Sequence, residues 1–117
     1  MGEALNERRS LIEQRAKTLT DAAIRDRMSW ATAAGTRPAD VRTRMVWERN
    51  LRVVAAFRDR YHVATRDPLG PAGGDGMQLM DRSGASAALE NAHALSRASA
   101  GNDRSYAAHR NQPDLRL

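Results

Sequence analysis

The chain has 117 residues, no cysteine and a formal net charge of +5. This length allows one small domain, and the lack of cysteine excludes disulfides, thiol catalysis and cysteine-based zinc sites. Only 4% of the residues are aromatic, and no alternation of apolar and polar residues lasts for a whole strand, so the sequence predicts an all-α fold. No apolar run approaches the roughly 20 residues that span a bilayer. The first ten residues contain no hydrophobic signal region, so we expect a cytoplasmic protein with no membrane partner.

The positive charge is concentrated in the middle of the chain. Residues 28–70 carry eight basic and four acidic side chains, whereas residues 1–27 carry six and five, and residues 71–117 carry five of each. Lys17 is the one lysine among the 19 basic residues, and the planar guanidinium group of arginine suits phosphate and carboxylate recognition. High-GC coding also produces an Ala- and Arg-rich composition, so the composition alone does not identify a partner.

A first amphipathic helix is predicted over residues 5–27. Leu5, Ile12 and Leu19 recur at helical spacing, together with several alanines. A capping-box pattern that starts at Ser10 offers an alternative beginning for the same helix. Both alternatives predict one apolar stripe that faces a second element.

A second helix is predicted over residues 41–61. Pro38 disfavours helix immediately before it, and Asp40 is a natural N-cap. The break between the helices contains the short apolar segment MSWATAAG, which includes Trp30, while Trp47 lies in the second helix. Each tryptophan buries on the order of 200 Å² when packed, so we expect them to fasten this elbow onto the second helix.

The second helix has a broad apolar arc, which is expected to form its core face. The residues that share this face are Val46, Val53, Phe57 and Tyr61, with Trp47, Leu51 and Val54 beside them. The arc is wide enough to meet both the first helix and the elbow.

The sequence predicts four regions along the chain. Residues 1–71 form a helical hairpin module that ends at the breakers Asp67-Pro68 and Gly70-Pro71. Residues 72–84 form a flexible linker, residues 85–99 a marginal third helix, and residues 100–117 a disordered tail. The third helix is called marginal because its apolar side consists mostly of alanine and buries little area.

The sequence contains no motif typical of catalysis. The glycine-rich segment GPAGGDG has no lysine and is not placed between a strand and a helix, as a phosphate-binding loop is. The three histidines, His62, His93 and His109, are too far apart to share one helical face, which argues against a metal site. We therefore expect no enzyme, no cofactor, no metal and no small-molecule substrate.

The second helix also carries a predicted basic surface, which consists of Arg42, Arg44, Arg49, Arg52, Arg58 and Arg60. Such a surface can follow a phosphate backbone. The aromatic residues of the same helix lie on its apolar side, so no stacking platform accompanies the arginines. A solvated basic face remains the alternative explanation.

Several segments form an ordered series over residues 4–71. They are ALNERRSLIEQRAKTL, Trp30 with Gly35, PAD, Trp47, RVVAAFRDRY and DPLGP. This series resembles the segment beyond the helicase region in large conjugative relaxases of the MobF class from actinobacterial plasmids and integrative elements. The resemblance implies a helical C-terminal accessory segment. It carries over no catalytic residue, because the nicking tyrosines, metal-binding histidines and Walker motif of that family have no counterpart here.

The chain also departs from the pattern of that family. The elbow reads GTRPAD where the relaxases are richer in proline, and His62 stands where a glycine usually follows the tyrosine. Because this glycine is missing, the family pattern does not determine the residue at which the second helix ends.

Two functions from different classes follow from these observations. The first is a non-catalytic accessory module of plasmid conjugative transfer, which binds the relaxase, another protein of the transfer machinery, or a second copy of itself. The residues expected to serve packing or interaction are Trp30, Trp47, Phe57 and Tyr61. The second function is a DNA-binding accessory that uses the predicted basic surface.

Overall fold

Four helices account for most of the chain. A computed structural model describes the backbone of residues 2–110 and the side chains of residues 7–100. The helices are α1 (Gly2–Arg25), α2 (Ser29–Thr32), α3 (Val41–Arg60) and α4 (Gly76–Arg110). No strand occurs between residues 2 and 110, which confirms the predicted all-α class. Within that range, no helix combines the length and the apolar character needed to cross a membrane.

The central helix is α3, which packs against both α1 and α4, whereas α1 and α4 make little contact with each other in the described part of the chain. The bidentate pair of Arg15 and Asp59 joins the middle of α1 to the last turn of α3. Ala23 near the end of α1 and Trp47 in the first half of α3 line the same depression, so these helices run antiparallel. Asp81 near the start of α4 likewise meets the end of α3 at Arg60. The three long helices therefore form a layer with α3 in the middle.

The buried residues on the contact sides of α1 and α4 are small. They are Ala16, Thr20 and Ala23 on α1, and Ala85, Ala88, Ala92 and Ser96 on α4. Small side chains allow helix backbones to approach closely. Four partly buried side chains of the same helices also pack against the core, namely Leu19, Ile24, Leu89 and Leu95. This explains why the alanine-rich helix packs against α3, although its composition predicted a marginal element.

The buried face of α3 is rotated from the predicted one. Its buried residues are Trp47, Leu51, Val54, Ala55, Phe57 and Arg58. Val46 and Val53, which the sequence placed at the centre of the core face, are 42% and 44% exposed. Neighbouring elements cover Phe57 of the predicted face and the residues that were expected beside it, which are Trp47, Leu51 and Val54.

The elbow between α1 and α3 is fastened as predicted. Trp30 and Trp47 are 5% and 2% exposed, and the indole Nε1 of Trp47 donates a 3.1 Å hydrogen bond to the carbonyl of Ala34. Asp40 is the N-cap of α3 and accepts hydrogen bonds from the backbone and the hydroxyl of Thr43. These contacts fix the angle at which the chain enters α3.

The fourth helix is longer than the sequence predicted. It begins at Gly76, where Asp75 caps it by accepting a 2.8 Å bond from the backbone of Gln78, and it continues to Arg110. Residues 76–84 of the predicted linker and residues 100–110 of the predicted tail are thus helical. The last seven residues of that tail, 111–117, lie outside the described residues.

The ends of α1 and α3 share one geometry. Arg27 and His62 both have a φ of 53°, in the left-handed region, and each occupies the position that glycine usually takes after a helix. The amide of Val63 donates a 2.8 Å bond back to the carbonyl of Arg58, which closes the Schellman motif that ends α3. The second helix, whose end the sequence left undecided, therefore ends at Arg60, and a histidine takes the left-handed position where glycine is usual.

Candidate functional site

Arg58 of the predicted basic surface lies inside the molecule, with 9% of its surface exposed. Its guanidinium donates hydrogen bonds of 2.8 Å to the carbonyl of Asp67, 3.0 Å to that of Pro68 and 2.9 Å to that of Thr65. The same group lies 5.4 Å from the ring centroid of Trp30. Because its donors bind the loop after α3, Arg58 is not available to a phosphate backbone.

Of the other five arginines, three are paired or half-buried and two are exposed without an ion pair to a described side chain. Arg60 donates a 3.1 Å bond to Asp81, and Arg44 and Arg52 are half-buried. Arg42 and Arg49 are exposed and make no ion pair with any described side chain. Two of the six predicted residues therefore stand free on the surface of α3.

The four residues predicted for packing or interaction have different surroundings. Trp30 and Trp47 belong to the core. Phe57 is 5% exposed, and its ring centroid lies 5.0 Å from that of Tyr61 in a tilted arrangement. Tyr61 is half-buried, and its hydroxyl donates a 2.6 Å hydrogen bond to Asp81. This bond raises the pKa of the phenol, because it stabilises the protonated form.

A groove runs over α3 between α1 and α4, and we call it the α3 groove. Its apolar lining consists of Ile12 and Ala16 from α1, Val53, Ala56 and Phe57 from α3, and Met80 and Gly84 from α4. Its volume is about 690 Å³. Ile12 and Met80 on the two rims are 57% and 76% exposed, so the groove is open to solvent.

Two carboxylates at the α3 groove are already paired. Asp59 accepts bonds of 2.7 and 2.8 Å from Arg15, and this interaction lowers the pKa of Asp59. Asp81 accepts from both Arg60 and Tyr61. These pairs tie the two outer helices to α3 and hold the walls of the groove in place, and they leave its floor apolar.

Sequence reasoning found part of this site. It assigned Ile12, Val53 and Phe57 to apolar stripes, but it missed the contribution of Met80, because residues 72–84 were predicted to be a linker. The signal that pointed to a helix there was the spacing of Met77, Met80 and Gly84, which repeats at three and four residues.

No group of three or more histidine, aspartate or glutamate side chains that could hold a metal ion occurs within the described region. Comparisons of the chain with protein-family models, with curated proteins and with solved structures gave no match.

Proposed function

We propose that the protein is a non-catalytic helical module that binds another protein through the α3 groove, as part of plasmid conjugative transfer. The observation that supports protein binding is the exposure of large aliphatic side chains from three helices around one depression. Ile12, Val53 and Met80 are 57%, 44% and 76% exposed. Contiguous exposed apolar surface of this kind typically marks an interaction site.

The arrangement of the helices supports a helical partner. The outer helices α1 and α4 flank α3 and leave its groove side uncovered, so the layer resembles a four-helix bundle from which one helix is missing. A fourth helix in the groove would contact all three others and complete such a bundle. Recognition of an amphipathic helix by an apolar groove is a recurrent mode of protein binding.

The association with conjugative transfer rests on the resemblance of residues 4–71 to MobF-class relaxases. It is tested by transfer frequency of a conjugative element that encodes the chain. Val53→Glu should lower the frequency, while Leu79→Glu should leave it unchanged. Leu79 is 49% exposed on α4 but does not line the α3 groove, so its substitution introduces the same charge outside the site. Equal frequencies for the two variants would argue against a role of the groove in transfer.

Direct binding is tested by selecting displayed helical peptides on the full-length chain. We expect peptides whose binding is lost with Val53→Glu and retained with Leu79→Glu. Far-UV circular dichroism checks that both variants fold, as expected for changes at exposed positions. If no selected peptide depends on Val53, the proposed protein-binding function is wrong.

DNA binding is the alternative function, and the exposure of Arg42 and Arg49 favours it. Together with the half-buried Arg44 and Arg52, they offer at most four phosphate contacts, which gives a log-log salt slope of roughly −2 to −3.5. The test is an anisotropy titration with single-stranded and duplex DNA between about 50 and about 200 mM salt. DNA binding that weakens when Arg42 and Arg49 are both changed to Ala would favour this alternative.

A further inference from the structure

The exposed residues of α3 are restricted to three types. They are Val41, Arg42, Met45, Val46, Arg49, Val53 and Arg60, so each is valine, methionine or arginine. Glu48, the one acid in this helix besides Asp59, is 18% exposed at its side chain and pairs with Arg37. The uncovered side of α3 is therefore apolar and cationic at once, and it presents no free carboxylate.

Six residues along this side follow the spacing of a helix-pairing seam. Arg42, Val46, Arg49, Val53, Ala56 and Arg60 are separated by four, three, four, three and four residues. This alternation keeps side chains on one edge of a helix and is the repeat by which two helices pack side by side. Its second half forms the floor of the α3 groove, and its first half extends from the groove toward the start of α3.

The charges of the seam disfavour a second copy of this helix as the occupant. An antiparallel copy of α3 would place Arg42 opposite Arg60 at both ends of the contact. A parallel copy would place arginine opposite arginine at three levels. Like charges facing each other across a seam select against such pairs, whereas opposite charges select for a different partner.

DNA also fits the seam less well than a helix does. Valine side chains alternate with Arg42 and Arg49, and a phosphate backbone offers them no apolar contact. Asp59 and Asp81 lie at the groove end of the seam, and a phosphate backbone there would meet carboxylates. A helix that is apolar where it meets Val46 and Val53 and acidic where it meets the arginines satisfies both kinds of residue.

We propose that the α3 groove and its seam bind an acidic amphipathic helix of a partner protein. The apolar side of this helix lies on Val53, Ala56 and Met80, and its carboxylates pair with Arg49 and Arg42. The seam from Arg42 to Arg60 is about 27 Å long, so the bound helix has about 18 residues. This inference rests on the proposed protein-binding function and specifies the charge and the spacing of the partner.

The experiment uses the peptides of about 20 residues that depend on Val53 in the selection described above. We expect them to have a net charge of about −3 or lower, with carboxylates at seam spacing from their leucines, although the starting library is neutral on average. For a chosen peptide, Arg49→Glu should weaken binding about tenfold or more, and added salt should weaken binding to the wild type.

The matched control is Arg66→Glu, which introduces the same change of charge outside the seam. Arg66 is exposed in the loop that Arg58 binds, and Arg58 projects from α3 about 160° away from Arg60. The affinity of this variant for the peptide should be within about twofold of the wild-type affinity, because salt screens the interaction between residue 66 and a peptide bound at the distant seam.

The outcomes separate the inference from the function on which it rests. Neutral or basic peptides that depend on Val53, or an Arg49→Glu variant that binds as the wild type does, would overturn the acidic helix and leave protein binding intact. A selection without any peptide that depends on Val53 would overturn both. A dimer in sedimentation experiments that Val53→Glu abolishes would assign the groove to a second copy instead.

Discussion

Arg58→Ala tests whether Arg58 is an internal connection rather than part of a binding surface. Three hydrogen bonds to the loop after α3 would be lost, with donor–acceptor distances of 2.8, 3.0 and 2.9 Å. Hydrogen bonds from charged donors contribute about 1.5–3 kcal/mol each when buried. Thr65 and Asp67 are exposed, so water can replace part of what their carbonyls lose, and about 1 kcal/mol for each bond is appropriate here.

Loss of the contact between the guanidinium and Trp30 increases the loss of stability by about 1 kcal/mol. The variant no longer buries a charged group, and this offsets a similar amount. We therefore expect Arg58→Ala to lower the free energy of unfolding by about 3 kcal/mol. Arg58→Lys keeps the positive charge, but an ammonium group lacks the planar set of donors that reaches all three carbonyls. This variant should lower the free energy of unfolding by roughly half as much as Arg58→Ala.

The assay is urea unfolding followed by far-UV circular dichroism and by tryptophan fluorescence. Arg49→Ala is the matched control, because Arg49 is exposed on the same helix and should stay within about 0.5 kcal/mol of the wild type. A loss of less than about 1 kcal/mol for Arg58→Ala would show that the loop bonds contribute little. If Arg58→Ala does not fold, the free energy of unfolding of Arg58→Lys is compared with that of Arg49→Ala instead.

Three further changes test other parts of the structure. His62→Gly should raise the free energy of unfolding by about 1 kcal/mol in urea titrations, because the φ of 53° strains a residue that has a Cβ atom. Gly35→Ala should lower it by at least about 2 kcal/mol, since φ is +85° and the new Cβ would lie 2.5 Å from the hydroxyl oxygen of Ser96. Asp59→Asn should lower the unfolding midpoint at neutral pH. The pKa of Asp59 is depressed by Arg15, so the stability that the carboxylate contributes is present above its unfolded pKa of about 4 and lost at lower pH.

Each of these changes has a control or a contrary outcome. Gly84→Ala is the control for Gly35→Ala, because its Cβ would meet nothing within 4 Å and α4 should gain about 0.5–1 kcal/mol. Unchanged stability of His62→Gly would show that the Schellman geometry is unstrained. If the unfolding midpoints of the wild type and of Asp59→Asn fall by the same amount between roughly pH 5 and pH 2, the pair of Asp59 with Arg15 contributes nothing to stability.

The sequence alone located the elements that depend on local chemistry. Pro38 and Asp40 stop one segment and cap the next through their own backbone and side-chain geometry, and α3 spans Val41–Arg60 against a prediction of 41–61. The two tryptophans were assigned to the elbow because no other residues bury comparable area. Such features are readable because each depends on a few neighbouring residues.

Tertiary packing, and not spacing along α3, decides which arginines pair with the two acidic residues of this helix. Glu48 has Arg44 and Arg52 one turn away on α3, but it pairs with Arg37 at 2.8 Å. Asp59 lies between Arg58 and Arg60 in the sequence, but it pairs with Arg15 of α1 at 2.7 Å. Both carboxylates lie where a neighbouring element brings an arginine closer than the helix itself can, and sequence spacing contains no information about that element.

Helical periodicity fixed which residues of α3 share a direction, and it could not fix which direction is buried. The apolar arc is wider than one neighbour can cover, so the choice fell to the contact sides of α1 and α4, which approach the side of Leu51 and Val54. That choice buried Arg58 and left Val46 and Val53 exposed. Two residues that the sequence assigned to the core face, Val46 and Val53, therefore lie on the uncovered side of α3, because burial is a property of the assembled layer and not of the helix alone.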